Sequence, residues 1–192
     1  MKYKVVPWKR AIVEARKGNY NAIIGAFKED APDFVFPEEE FGMSRFAFFV
    51  KKGTKYKYSE LKSLLKMKIG LIKGYSYGEK EDKFFKENQK IIQYAHGSDP
   101  LSQNIKKLLH GRITVVGEDP NVFLEKAAGM GVADQIINVG DTGTANKIYI
   151  AFSPKNPKSK EYAKILTEGI RKLKKSGELK KILTKYGLEY WK

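Results

Sequence analysis

The chain has 192 residues, 42% hydrophobic and 12% aromatic, enough apolar material to bury a core in one domain or two small lobes, which excludes a disordered chain. It has no cysteine, which excludes disulfides and thiolate metal sites, and its two histidines, His96 and His110, make a zinc enzyme a poor fit. Thirty-seven basic and 22 acidic residues give a net charge of +15, which admits a polyanionic partner; the lysines nevertheless fall at solvent-facing helical spacings, so a solvated basic surface is the better reading.

No apolar run approaches the roughly 18 residues of a membrane span. The opening MKYKVVPWKR has no apolar signal region, so the protein is expected to be cytoplasmic or exported with a leader outside this sequence. Tyr3 to Val6 reads as a strand ending at Pro7. Trp8, Ala11, Ile12 and Ala15 follow at helical spacing, and Gly18 stops that helix. Asn21 to Phe27 reads as a second strand. Lys28 to Glu40 is irregular and acidic, broken by Pro32 and Pro37. Phe46 to Val50 is a solid apolar strand, and Gly53 to Tyr58 reads as a linker.

The middle of the chain alternates. Strands are expected at Lys68–Ile72, Lys90–Tyr94, Ile113–Val116 and Gln135–Val139, with helices at Glu79–Gln89, Pro100–His110 and Pro120–Ala128 between them. Asp99-Pro100 and Asp119-Pro120 are helix starts, because Asp is a good N-cap and Pro suits the first helical position. Gly111 and Gly129 stand where C-cap glycines belong. Lys147 to Phe152 is a returning strand. A long helix follows Pro157 and ends at Gly177, and Glu178 to Tyr186 forms a last short helix.

Strand–helix alternation implies parallel strands joined by right-handed crossovers, an α/β arrangement. The connections Lys73–Gly78, Ala95–Ser98, Gly117–Asp119 and Gly140–Thr144 are then expected along one edge, where ligands bind in such sheets. In the first of them, Gly74, Tyr75, Ser76, Tyr77 and Gly78 form a tight turn before a helix. Free N–H groups at a helix start make an anion site, and the hydroxyls would add donors. An ordinary strand–helix connection with half-buried tyrosines fits the same residues. The unit from about 54 to 145 is bracketed by the strands Phe46–Val50 and Lys147–Phe152, as for a domain inserted in another through a hinge.

Taken together, the segments VVPWKRAIVEARKGNYNAII, FPEEEFGMSRFAFFVKKG, LKMKIGLIKGYSYG, IKKLLHGRITVVGEDPNV and YIAFSPKNPKSKEYAKILTEGIRKLKKSGELKKILTKYG make the chain resemble the amino-acid-type solute-binding proteins of bacterial ABC transporters, extracellular solute-binding family 3. The resemblance implies a two-lobe periplasmic-binding-protein type II fold, closing like a clamshell on a small polar or zwitterionic, amino-acid-like solute. One lobe would comprise 1–50 plus 148–192, the other 54–145. It also implies a periplasmic or extracytoplasmic location, ABC transporter membrane subunits as partners, no cofactor and no catalysis. By the same resemblance Gly74, Tyr75, Ser76 and Tyr77 would bind a ligand carboxylate, Glu118 its amine, and Trp8 would stack on it. Core packing of Trp8 and an exposed first-turn role for Glu118 are the competing readings.

Two departures stand out. The family opens with a further strand and helix, so the N-terminal lobe is expected to be incomplete, and a homodimer could complete its sheet. The family also carries an Arg that clamps the α-carboxylate, where this chain reads GAFKEDAPDFVFP; Lys28 is the substitute, a point charge rather than a fork. A ligand-sensing module of the same fold and a basic nucleic-acid-binding protein are the alternatives, and the second lacks any DNA- or RNA-reading motif.

Overall fold

The computed structural model describes residues 2–191. They divide into two compact units: 2–7 with Arg45–Ala145, and Trp8–Ser44 with 146–191. The secondary structure runs α1 (Trp8–Arg16), β1 (Ala22–Ala26), β2 (Gly42–Lys51), β3 (Ile69–Ile72), α2 (Glu79–Glu87), β4 (Ile92–Ala95), α3 (Pro100–Leu109), β5 (Val115–Glu118), α4 (Pro120–Gly129), β6 (Ile136–Phe152), α5 (Ser159–Ser176) and α6 (Glu178–Lys185). The chain passes from unit to unit within β2 and within β6.

In the first unit β5 and β4 flank β3 in parallel, with Ile69 opposite Val115 and Ile92. β2 runs antiparallel to β5, with Ala47 opposite Glu118. The period-2 pattern of Phe46 to Val50 is resolved into two apolar layers. Ala47 and Phe49 join Leu101, Ile105 and Leu108 of α3 and Phe123 of α4. Phe46, Phe48 and Val50 join Leu64, Leu71, Tyr77 and Phe85 on the other face. Phe49 lies flat on Phe123, ring centroids 3.8 Å apart and planes 4° apart. Each fully buried side chain of this size stabilises the fold by about 1.5–3 kcal/mol.

Asp99 and Asp119 cap α3 and α4 as their Asp-Pro pairs require. The Asp99 carboxylate accepts the Ser102 N–H, and Asp119 accepts those of Asn121 and Val122. Gly129 differs from expectation: it is still helical, and the left-handed position falls two residues later, at Gly131 with φ 68°.

In the second unit β1 runs antiparallel to the end of β6, with Ala22 opposite Phe152. A register shift between Ile24 and Ala26 places the extra residue at Gly25, whose φ of 88° a side chain would resist. Ala15, Ile23, Ala26, Phe34 and Ala151 form the core here, with Trp8 and Ile12 packed against it. Gly177, at φ 76°, separates α5 from α6.

Two expected elements differ. Residues 2–7 form no strand, and they group with the first unit. Gly140 to Thr144 is not a loop, because β6 runs through it unbroken from Ile136 to Phe152. Its turn-type residues are absorbed locally: Gly140 N–H donates to Asn138 Oδ1 at 2.8 Å and Gly143 N–H to Asp141 Oδ1 at 2.7 Å. The expected loop Gly117–Asp119 is also mostly strand, since Gly117 and Glu118 end β5 and only Asp119 stands before α4, whereas Lys73–Gly78 and most of Ala95–Ser98 are loops.

Candidate functional site

The first unit gathers five of the seven expected ligand-binding residues. β3 and β5 are parallel, so the turn after Ile72 and the end of β5 at Glu118 lie at the same edge of the sheet. Gly74 turns the chain with φ 89°, and Gly78, φ 118°, is the N-cap of α2.

The turn is held from inside. Ile72 N–H donates to the Tyr77 hydroxyl at 2.6 Å, and that hydroxyl lies 3.3 Å from Ile72 O. Tyr77 is buried, with its ring against Phe46 at 4.6 Å. Burial, then the Glu118 charge, push its hydroxyl well above the ordinary tyrosine range. Tyr77 thus serves as a brace within the unit. The Ser76 hydroxyl donates to Asp82 Oδ2 at 2.6 Å, and Tyr77 N–H donates to Asp82 Oδ1 at 3.1 Å. Asp82, in the first turn of α2, brings a carboxylate of the chain itself to donors of this turn.

Glu118 is 6% exposed. Its Oε1 accepts the Asp119 N–H at 2.9 Å, whereas Oε2 is buried with no hydrogen-bond partner among the described residues. Burial pushes its carboxyl up to about 7; the Asp119 N–H opposes this and the Asp119 charge adds to it. Tyr75 is 40% exposed, yet shielding of its hydroxyl, with the charges of Glu118 and Tyr3, raises it to about 12. An orphaned buried carboxylate oxygen is costly, and its standard remedy is a hydrogen-bond donor or a cation.

The other two expected residues lie in the second unit. Trp8 opens α1 and is partly buried against that unit's core. Lys28 places its ammonium 5.1 Å from the centroid of the Tyr149 ring. Of the histidines, His110 ends α3 with Nδ1 2.7 Å from Lys106 O. Asp82 is the residue that sequence reading missed. Its only signal was an acid in a first helical turn, which a helix dipole explains equally well.

Among the described residues no group of three or more His, Asp or Glu is placed to hold a metal ion, and no helix is long and apolar enough to cross a membrane.

This mixed α/β chain has the fold of the periplasmic binding proteins. Three solved structures illustrate the likeness. A chain from a study of glutathione import via GshT and the cystine ABC importer TcyBC of Streptococcus mutans superposes with a TM-score of 0.78 at 17% identity, covering 100% of this chain and 80% of that one. An ancestral arginine-binding protein bound to arginine gives 0.77 at 21% identity, covering 96% and 79%. A histidine kinase sensor domain with similarity to periplasmic binding proteins gives 0.74 at 14% identity, covering 93% and 75%. No protein-family model matches the chain, and none of the curated proteins does.

Proposed function

We propose that the chain is the extracytoplasmic solute-binding component of an ABC transporter, without catalysis or cofactor. It captures a small polar or zwitterionic, amino-acid-like solute at the rim formed by Gly74, Tyr75, Ser76 and Tyr77 with Glu118, and hands it to the transporter's membrane subunits. Trp8 and Lys28 are the contributions proposed from the second unit. The observation that carries this reading is the buried Glu118 carboxylate, whose Oε2 lacks a partner at the end of a sheet strand. The fold likeness supports it, because similar chains include an arginine-binding protein and a component of an ABC import system. A second copy pairing along the open edge of β1 is part of the proposal, checked by the mass of the protein in solution.

Thermal denaturation across a library of amino acids, amines and organic acids tests the reading. Stabilisation by one solute class is expected, abolished in Glu118→Gln. A melting temperature unmoved by every solute at millimolar concentration would refute it.

A ligand-sensing module is the second reading, supported by the likeness to a kinase sensor domain. It predicts solute binding without solute-dependent stimulation of a transporter's ATPase. Nucleic-acid binding, suggested by net charge alone, would show itself as salt-sensitive retention of DNA or RNA.

A further inference from the structure

The turn after β3 looks like an anion site, with a helix start and hydroxyls, but the structure gives two of its donors another task. The Ser76 hydroxyl and the Tyr77 N–H both end on the Asp82 carboxylate, at 2.6 and 3.1 Å. A hydrogen-bond donor already directed at an internal carboxylate is withdrawn from an incoming one. A second carboxylate, that of Glu118, sits at the same sheet edge with Oε2 unpartnered and 6% of the residue exposed. β3 and β5 pair in parallel and end at Ile72 and Glu118, so Glu118 lies at the sheet edge where this turn emerges. The rim therefore pairs an anion site already occupied by the chain's own Asp82 carboxylate with an unsatisfied acid. The Tyr75 ring, 40% exposed, adds an aromatic surface of the kind that attracts cations. In the second unit Lys28, the candidate for a carboxylate clamp, is placed over the Tyr149 ring.

We infer that the solute of this site is an organic cation whose recognition requires no carboxylate, with Glu118 Oε2 receiving its ammonium or guanidinium N–H and Asp82 excluding a carboxylate from the turn. This narrows the solute-binding reading and rests on it. A solute carboxylate would meet two like charges with two of the turn's donors engaged, and like charges desolvated together are a means of rejection. A primary amine or guanidinium meets an acceptor that no other described residue supplies with a donor.

The test uses matched pairs that differ by one carboxylate: agmatine with arginine, cadaverine with lysine, and putrescine with ornithine. Titration calorimetry is run on the full chain at pH 8, where Glu118 is ionised. At least one decarboxylated member is expected to bind ten-fold or more tightly than its carboxylated mate, and Glu118→Gln to lose that binding. Asp82→Ala releases the two donors and is expected to shrink or reverse the preference. Asp82→Asn, which keeps an acceptor for Ser76 while removing the charge, guards against a misfolded alanine variant and is expected to move the ratio in the same direction. If the carboxylated members bind as tightly as their mates, or if both Asp82 variants keep the wild-type ratio, the inference falls while the solute-binding reading stands. If neither these six compounds nor the wider library binds, both fall.

Discussion

Lys174 reaches back from α5 to Glu40, with Nζ 2.8 Å from Oε1, and the same carboxylate oxygen accepts the indole N–H of Trp191 at 2.9 Å. The other oxygen lies 3.2 Å from Lys147 Nζ. Beside it Glu39 takes Lys174 and Arg171, and Arg171 also holds Glu38. The acidic run of three glutamates is therefore the anchor for the C-terminal helix and tail in the second unit.

Acid should release this anchor. Burial opposes ionisation of Glu40, but Lys174, backbone N–H, Trp191 and Lys147 together hold its carboxyl down at about 2. A depressed carboxylate contributes stability that is present above its unfolded value of 4.5 and lost as pH falls toward 2. Glu40→Gln is expected to cost about 1–3 kcal/mol at pH 7 and to flatten the stability curve between those pH values. Denaturant unfolding followed by the fluorescence of the two tryptophans, Trp8 and Trp191, checks it.

Glu118 titrates in the opposite sense. Its carboxyl is raised from 4.5 to about 7, so the folded chain binds the proton more tightly than the unfolded chain. Its contribution is fully present below pH 4.5 and is lost as pH rises through 7. Glu118→Gln is expected to raise unfolding stability above pH 7 by about 2–3 kcal/mol relative to wild type, while abolishing solute binding. Melting curves from pH 4 to 8.5 without solute measure the first effect. A variant that melts below wild type at pH 8 contradicts the burial argument.

Gly117 leaves room for a neighbour. A Cβ there would run into the Phe46 ring and come within 3.1 Å of Leu71 Cδ2. Gly117→Ala is expected to cost about 1–3 kcal/mol, read as a lower urea midpoint at unchanged slope. Because residue 117 adjoins Glu118, its solute affinity should weaken as well.

The Tyr77 hydroxyl is the acceptor for Ile72 N–H in a buried site. Tyr77→Phe leaves that N–H without its partner, a loss of about 1–3 kcal/mol. Hydrogen exchange at Ile72 should accelerate more than at Leu71, whose strand partners are unchanged. Equal acceleration at both would mean that the brace is not local.

The sequence by itself determined the periodic parts. Phe46 to Val50 alternates between two apolar layers because every side chain there is apolar, so either register buries both faces. Asp99-Pro100 and Asp119-Pro120 mark helix starts because a cap acts within a few residues of chain. The rim of Tyr75 and Glu118 followed from strand–helix alternation, which sets the sheet edge where the turns emerge. Tertiary structure decided what depends on neighbours. Residues 2–7 are not a strand, and Gly140 to Thr144 continues β6 in spite of its turn-forming residues. Asp82 reads as an ordinary first-turn acid until the backbone bends it onto Ser76. Glu118, an amine-binding acid by resemblance, admits an exposed first-turn role in the sequence until the fold, with β2 paired alongside it at Ala47, takes it from water. Burial and hydrogen-bond satisfaction are properties of the assembled chain, since a polar group's energy depends on what surrounds it, and that is what turns an acid in a list of residues into a binding group.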